Sequence, residues 1–308
     1  MKVLVTGGAG FIGSNLVKAL CDLDHRVVVL DDLSTGHRAL VDNRCKFYKG
    51  SMANAKLLDK ILPGLDVVFH LAATATITYS VKKPQVYFIN NFMGGLALLE
   101  AMRRNRVKKI IYSSSGAGYG EPAESYVKES SPTNPINPYG ASKLVFEQAL
   151  SAYYHSFGIE SASLRYFNVY GPRDEQKSST RAISGWIKAA LKRQPLILYW
   201  GGRQIRDYIY VEDVARANIL AAQKCRGFKV YNVGAGQGIV MKDIVKKLEA
   251  IMGLKLKIKD LGPRPGDPEA VIADISRINK ELGWQPKVEF DVGLKNMVDY
   301  YRFNRINI

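Results

Sequence analysis

An α/β fold, with a doubly wound parallel sheet and a smaller mixed α/β lobe beside it, is what this chain predicts. Three observations carry that prediction. Short apolar runs alternate with helix-length amphipathic segments through the first half. A glycine-rich turn joins the first run to the first helical segment. Of the 308 residues 47% are apolar, enough for one large core or a core shared between two lobes.

The elements follow in order. Lys2–Thr6 is a short apolar run, and residues 11–24 continue with helical spacing. The Val-Val-Val-Leu run within 26–31 reads as a strand buried on both faces. Residues 65–71 and 107–113 are two further strand-like runs, with an amphipathic helix over 86–104 between them. Residues 161–166 form another strand after the helix that starts near Tyr139. In such sheets ligands bind beyond the carboxyl ends of the strands, where every motif below falls. After Gly171-Pro172-Arg173 the pattern loosens. Helices are expected at 181–192, 213–224, 240–251, 276–282 and 292–303, and strands at 196–199, 207–211 and 230–233. Residues 262–268 are a loop by their proline and glycine content. The expected division is a dinucleotide-binding domain of residues 1–172 plus about 207–233, with 173–206 and 234–308 forming a second lobe over the ligand edge.

Bulk composition narrows the function classes. The formal charge of +16 raises the question of nucleic acid, but the densest cluster, from Arg103 to Lys109, closes a helix, where positive charge suits the helix dipole. No nucleic-acid motif surrounds it, so a basic surface that attracts a small anionic substrate is the expectation. Cys21, Cys45 and Cys225 are scattered, and the four histidines lack ligand spacing, so neither a disulfide framework nor a metal site is expected. No apolar run is long enough to span a membrane, and Met1 leads straight into a strand, which fits a cytoplasmic protein.

Gly7, Gly10 and Gly13 form Gly-x-x-Gly-x-x-Gly between a strand and a helix. Glycines there let the backbone turn tightly and approach a pyrophosphate. Asp31 ends the second strand, eighteen residues after Gly13. A carboxylate at that point bonds the adenosine ribose hydroxyls and repels a 2′-phosphate, so NAD is expected rather than NADP. The plainer reading of Asp31-Asp32 is a turn or cap. Tyr139 and Lys143 lie four apart and align on one helix face. A free phenol has a pKa of about 10, and a neighbouring ammonium together with a positive nicotinamide is expected to lower it. Lys143 is also placed to bond the nicotinamide ribose. Ser113-Ser114-Ser115 ends the preceding strand at the same sheet edge, where a serine can bond a reacting hydroxyl.

These motifs resemble the extended short-chain dehydrogenase/reductases that act on nucleotide sugars, in particular the UDP-glucose 4-epimerase family, over essentially the whole chain. The signposts are the Thr6-to-Gly13 turn, Asp31-Asp32-Leu33-Ser34, His70-Leu71-Ala72-Ala73, Ser113 to Ser115 before Tyr119-Gly120, Tyr139 to Lys143, the Leu164-to-Arg173 run, Gln204 to Asp213, and Arg264-Pro265-Gly266-Asp267. The resemblance implies a Rossmann-type cofactor domain, NAD, a UDP-sugar substrate and a homodimer. It adds Phe11, Ile12, Asp32, Leu33, Ser34, Ser51, Met52, Leu71, Ala72, Ala73, Asn90, Ser113 and Tyr166 to the NAD contacts. It implies that Asn168, Arg206 and Arg264 hold the diphosphate, that Tyr199 lies on the uracil, and that Asp267 bonds the uridine ribose, with Thr180 a further substrate contact. Tyr139, Lys143 and Ser115 are implied as catalytic. The dimer would pair helices near 86–104 and 139–155, for which Leu96, Leu99, Val145 and Leu150 are suitably spaced.

The dehydratases of this superfamily carry an Asp-Glu pair after the serine or threonine, because water elimination needs an acid and a base at the sugar. Gly116-Ala117-Gly118 stands here instead, which leaves oxidation and re-reduction at C4. Three departures bear on specificity. Ser51 replaces the usual aspartate that bonds the adenine amino group, so looser NAD binding is expected. Gly116-Ala117-Gly118 is smaller than the usual segment and leaves room near the sugar. Val271 occupies the place of a bulky tyrosine that bars N-acetyl sugars, so a roomier pocket is expected. The alternatives are a UDP-N-acetylglucosamine or UDP-glucuronate 4-epimerase, a nucleotide 4-keto-sugar reductase, and a non-catalytic NAD-sensing or RNA-binding relative.

Overall fold

The structure, a computed structural model, describes residues 1–175, 181–263 and 268–304. Its first half runs β1 Lys2–Thr6, α1 Phe11–Asp22, β2 Arg26–Asp31, β3 Lys46–Lys49, α2 Ala55–Ile61, β4 Val67–His70, two short helices α3 Ile77–Lys82 and α4 Pro84–Tyr87, α5 Gly94–Arg104, β5 Lys109–Ser115, β6 Tyr126–Val127, α6 Pro138–Phe157 and β7 Glu160–Tyr166. The second half holds β8 Asn168–Tyr170, α7 Ala182–Leu191, β9 Leu196–Leu198, β10 Ile205–Tyr210, α8 Val211–Lys224, β11 Phe228–Val233, β12 Gly238–Val240, α9 Met241–Met252, β13 Ile258–Asp260, β14 Ala270–Ala273, α10 Ser276–Leu282 and α11 Phe290–Phe303.

Seven parallel strands form the main sheet in the order β11-β7-β5-β4-β1-β2-β3. The order reverses between β1 and β4, which opens a crevice at their carboxyl ends. The valines of β1 and β2 lie in register, Val3 opposite Val27 and Val5 opposite Val29, and both faces of the sheet are covered. One face packs on α1 and α8, and the other on α2, α5 and α6, giving two separate apolar clusters. This explains why the strands read as continuous apolar runs.

A third cluster fills the second lobe, where Ile183, Trp186, Leu196, Ile244, Leu248, Leu294 and Val298 meet. β6, β8 and β10 belong to a second sheet with β12 and β14, while α8 and β11 pack with the first. β10 pairs with β8, which precedes it in the chain, and with β12 and β14, which follow it. Of the expected helix over 86–104, α5 supplies the second half, and a π-helical turn over Phe88–Met93 precedes it. No helix among the described residues is long and apolar enough to cross a membrane, and no group of three or more potential metal ligands occurs among them.

Candidate active site

A cavity of about 1020 Å³ follows the carboxyl ends of the main sheet and continues under the second lobe. Its first half is made chiefly of backbone. Gly7 has φ of 72°, and a Cβ there would meet Ala72 N at 2.6 Å. A Cβ on Gly13 would run into the Gly7 carbonyl oxygen. The turn therefore tolerates no side chain at either place, and it delivers the first turn of α1 to the cavity. Gly10 is the N-cap of α1 and brings no capping side chain, so the first N–H groups of the helix face a site suited to an anion.

Asp31, at the end of β2, is buried on the wall of this half. Its carboxylate accepts N–H bonds from Ala9 at 2.9 Å and Leu33 at 2.8 Å, tying the glycine turn to the second strand. Burial raises its pKa, against these two bonds. Asp32 accepts from the Ser34 N–H at 2.8 Å, the local turn contact of the plainer reading. Asp32, Ser34, Ser51, Met52, Leu71, Ala72, Ala73 and Asn90 all reach the wall. Leu33 does not, because its φ of 61° turns the side chain to pack against the core beside α1. Ser51 uses its hydroxyl to accept from Ala53 N at 3.1 Å, a local turn contact.

Local chemistry also places the reactive helix. Asn137 caps α6 by accepting from Gly140 N at 2.9 Å, Pro138 occupies its first turn, and Gly158 closes it with φ of 66°. A cap of this kind contributes about 1 kcal/mol. Tyr139 and Lys143 thus stack on the first two turns, facing Ser113 and Ser115 at the end of β5, and all four line the cavity. Lys143 donates to the Ser113 carbonyl at 2.7 Å, and its Nζ lies 5.8 Å from the centre of the Tyr139 ring. Burial pulls the Lys143 pKa down to about 7, with Glu147 opposing it. The expected lowering of the Tyr139 pKa is not what the protein groups produce. Burial raises it, while a hydrogen bond from Ser115 and the positive charge of Arg181 pull in the other direction. A buried ammonium that is itself close to losing its proton is a weak counter-charge, and desolvation wins.

The second half of the cavity is made of side chains. Asn168 donates to the Asp207 carbonyl at 3.0 Å, and Arg206 donates to the carbonyls of Ile205 at 2.8 Å and Glu269 at 3.2 Å. Both line the cavity, together with Tyr166 and Tyr199. Val271 pairs with Arg206 in the β10–β14 register and stands off the wall formed by the described residues. A Cβ on Gly116 would lie 3.4 Å from the Phe167 ring, an ordinary contact, so Gly116 borders that ring. Thr180, Arg264 and Asp267 lie outside the described residues.

Sequence reasoning passed over Glu147, Arg165, Ser114 and Arg181. Glu147 carried a signal, since it lies one further helical step from Lys143. Its pairing with Arg165 of β7 did not, because that contact exists only once α6 packs on the sheet.

Fold and site together define a dinucleotide-binding α/β protein with a Ser-Tyr-Lys centre. Residues 3–234 match the model of the NAD dependent epimerase/dehydratase family, and the chain belongs to that family. It is 38% identical to the UDP-glucose 4-epimerase of Lactobacillus helveticus over 308 aligned residues, covering 94% of this chain and 93% of that protein. Among solved structures it resembles the Thermotoga maritima UDP-glucose 4-epimerase with UDP-glucose, at 36% identity and a TM-score of 0.94, covering 98% of this chain and 99% of that one. The UDP-N-acetylglucosamine 4-epimerase of Methanobrevibacter ruminantium M1 in complex with UDP-N-acetylmuramic acid is similar at 37% identity and a TM-score of 0.93, covering 98% of each chain. The fit to NAD rests on the glycine cradle that a Cβ would fill, the open N-terminus of α1 and the carboxylate of Asp31.

Proposed function

We propose that this protein inverts C4 of a UDP-hexose, interconverting UDP-galactose and UDP-glucose through a transient 4-keto sugar. One observation carries the reading. Ser115, Tyr139 and Lys143 stand at the junction of a backbone-built cradle and a side-chain-built extension lined by Asn168, Tyr199 and Arg206. No ionisable residue follows Ser115 to eliminate water, since Gly116-Ala117-Gly118 comes next.

Held by the glycine turn and Asp31, NAD would supply the hydride acceptor and donor for C4. Tyr139 takes the proton of the sugar 4-hydroxyl and gives it back in the same turnover. Ser115 holds that oxygen, and Lys143 supplies positive charge beside the phenol. The phenol needs that charge because burial makes it a reluctant acid. The glycine turn, Asp31 and Asn90 are assigned to NAD, and Asn168, Tyr199 and Arg206 to the nucleotide diphosphate, with Arg264, Asp267 and Thr180 assigned by resemblance alone. Gripping the nucleotide while leaving the sugar free to turn is what inversion requires. Incubation with a panel of UDP-sugars and NAD tests this, with C4 configuration followed by proton NMR. Inversion without net NADH is the expected outcome, and stoichiometric accumulation of NADH with a 4-keto sugar would make the protein a 4-keto-sugar reductase running in reverse.

A second reading, activity on UDP-N-acetylglucosamine, rests on the resemblance alone, which sets Val271 where a bulky tyrosine bars N-acetyl sugars. Turnover of UDP-galactose with none of the N-acetyl sugar would remove it. The homodimer we assign to the face bearing Phe88, Ile89, Met93 and Val145, which are exposed. Leu99 and Leu150, expected there, are fully buried in the core beneath α5 and α6. The cytoplasm is the proposed compartment, on three cysteines that are all free, Cys21 and Cys45 included, whose sulfurs lie 3.2 Å apart.

A further inference from the structure

Glu147 is a buried charge with no part in the scheme above. It follows Lys143 by four residues and Tyr139 by eight on α6, so the three stack along one helix face. Its side chain is 2% exposed, and that of its partner Arg165 is 7% exposed. Arg165 donates from Nε at 3.1 Å and from Nη2 at 2.7 Å to the two carboxylate oxygens, and the Ser114 hydroxyl donates to Oε1. Arg165 also donates to the Tyr119 hydroxyl at 2.9 Å, whose proton goes to Asn232 Oδ1 at 2.7 Å. A buried ion pair seldom stabilises a fold by much, because desolvation offsets the attraction. The place of this one is better explained by its neighbours. Ser114 sits between Ser113, whose carbonyl takes the Lys143 proton donor, and Ser115, which reaches Tyr139.

We propose that Glu147, held by Arg165, is a positioning residue: it keeps Lys143 an ammonium and pins the end of β5 so that Ser113 and Ser115 face Lys143 and Tyr139. The groups facing Lys143 are few. Tyr112 of β5 presents its ring 5.0 Å from Nζ, and Tyr139 of α6 presents its ring at 5.8 Å. His70 of β4 stacks on Tyr112 and is kept neutral, its pKa held at about 3 by burial and by Lys143. Glu147 is the acidic group acting on the lysine, and it opposes the effect of burial. Without it the Arg165 guanidinium would stand uncompensated behind an ammonium in a medium of low dielectric.

The inference rests on the reading that Lys143 acts as an ammonium beside Tyr139, and the experiment separates the two. Lysine side chains of the purified protein are labelled with carbon-13, and Lys143 is identified by the signal lost in Lys143→Met. In Glu147→Gln the Lys143 titration is expected to fall by about one pH unit, and in the charge-neutral Glu147→Gln/Arg165→Gln variant by roughly half a unit. The alkaline limb of the kcat profile should move with it, while KM for the UDP-sugar stays within about two-fold, since Glu147 touches no nucleotide-binding residue. An unmoved Lys143 titration in either variant that folds overturns the proposal. A shifted lysine with an unmoved kcat limb overturns the role given to Lys143 in the reaction and leaves its link to Glu147 standing. Ser114→Ala keeps both charges, and is expected to lower kcat several-fold without moving the limb; unchanged kcat would overturn the tie to β5.

Discussion

The two halves of the cavity are built on different principles. The cradle beside Gly7, Gly13 and Ala72 is backbone packed on backbone, and its geometry follows from what cannot be present, a Cβ. The extension under the second lobe depends on Asn168 and Arg206, on β8 and β10 of the second sheet, and on Tyr199 just after β9, strands of three to six residues. Asp207 anchors that sheet by accepting N–H bonds from Ala235 at 2.6 Å and from Gly236 and Ala273 at 3.0 Å each. The difference teaches where change is tolerated. A backbone cradle admits one shape of cofactor and little variation, whereas side chains on short strands can be exchanged to change the sugar nucleotide without disturbing the cradle.

The sharpest way to test the junction between the halves is Tyr139→Phe. Loss of the proton acceptor should lower kcat by about 10³-fold, within the range for a general acid or base, while UDP affinity measured by calorimetry stays near the parent value. Next comes the cradle. Gly13→Ala forces a methyl against the Gly7 carbonyl oxygen and should cost about 1–3 kcal/mol of stability along with most of the NAD affinity. Gly116→Ala is the control, because its methyl would touch only the Phe167 ring at 3.4 Å, and a shift within about 0.5 kcal/mol is expected in chemical denaturation.

Lys143→Met sharpens the contrast between function and stability. The folded-state pKa of Lys143 is pulled to about 7 from an ordinary 10.5. Between these values the unfolded chain binds the extra proton, so the parent protein gains stability as pH rises through that window. The variant, having no ammonium to bury, should be more stable than the parent by about 1–3 kcal/mol at or below pH 7. That advantage should shrink toward pH 10, while turnover is lost. A variant destabilised at every pH would show that the Ser113 contact outweighs the burial of charge. The smallest effect concerns the adenine end. Ser51→Asp restores an acceptor where Ser51 now serves Ala53, and tighter NAD binding by about 1 kcal/mol is expected in a fluorescence titration.

Much of this was legible before any coordinates. Gly7, Gly10, Gly13, Asp31, Ser115, Tyr139 and Lys143 come together at one sheet edge because each follows, or packs behind, a strand whose direction the alternating pattern already sets. The short strands β6, β8, β12, β13 and β14 were not legible, since two to four residues carry no periodicity of their own. Leu99 and Leu150 show the limit of helical spacing, which marks an apolar face without saying whether it meets the sheet or a second copy.

Local pattern therefore settled the alternating architecture, the glycine cradle, the preference for NAD and the meeting of Ser115, Tyr139 and Lys143 at one sheet edge. Those depend on φ/ψ limits and on the order of elements along the chain, which neighbouring residues dictate. The ionisation of that centre was settled by packing. The raised pKa of Tyr139, the lowered one of Lys143 and the Glu147–Arg165 pair behind them arise from burial and from charges on other elements. Electrostatic energy depends on distance and dielectric in three dimensions, and separation along the chain encodes neither.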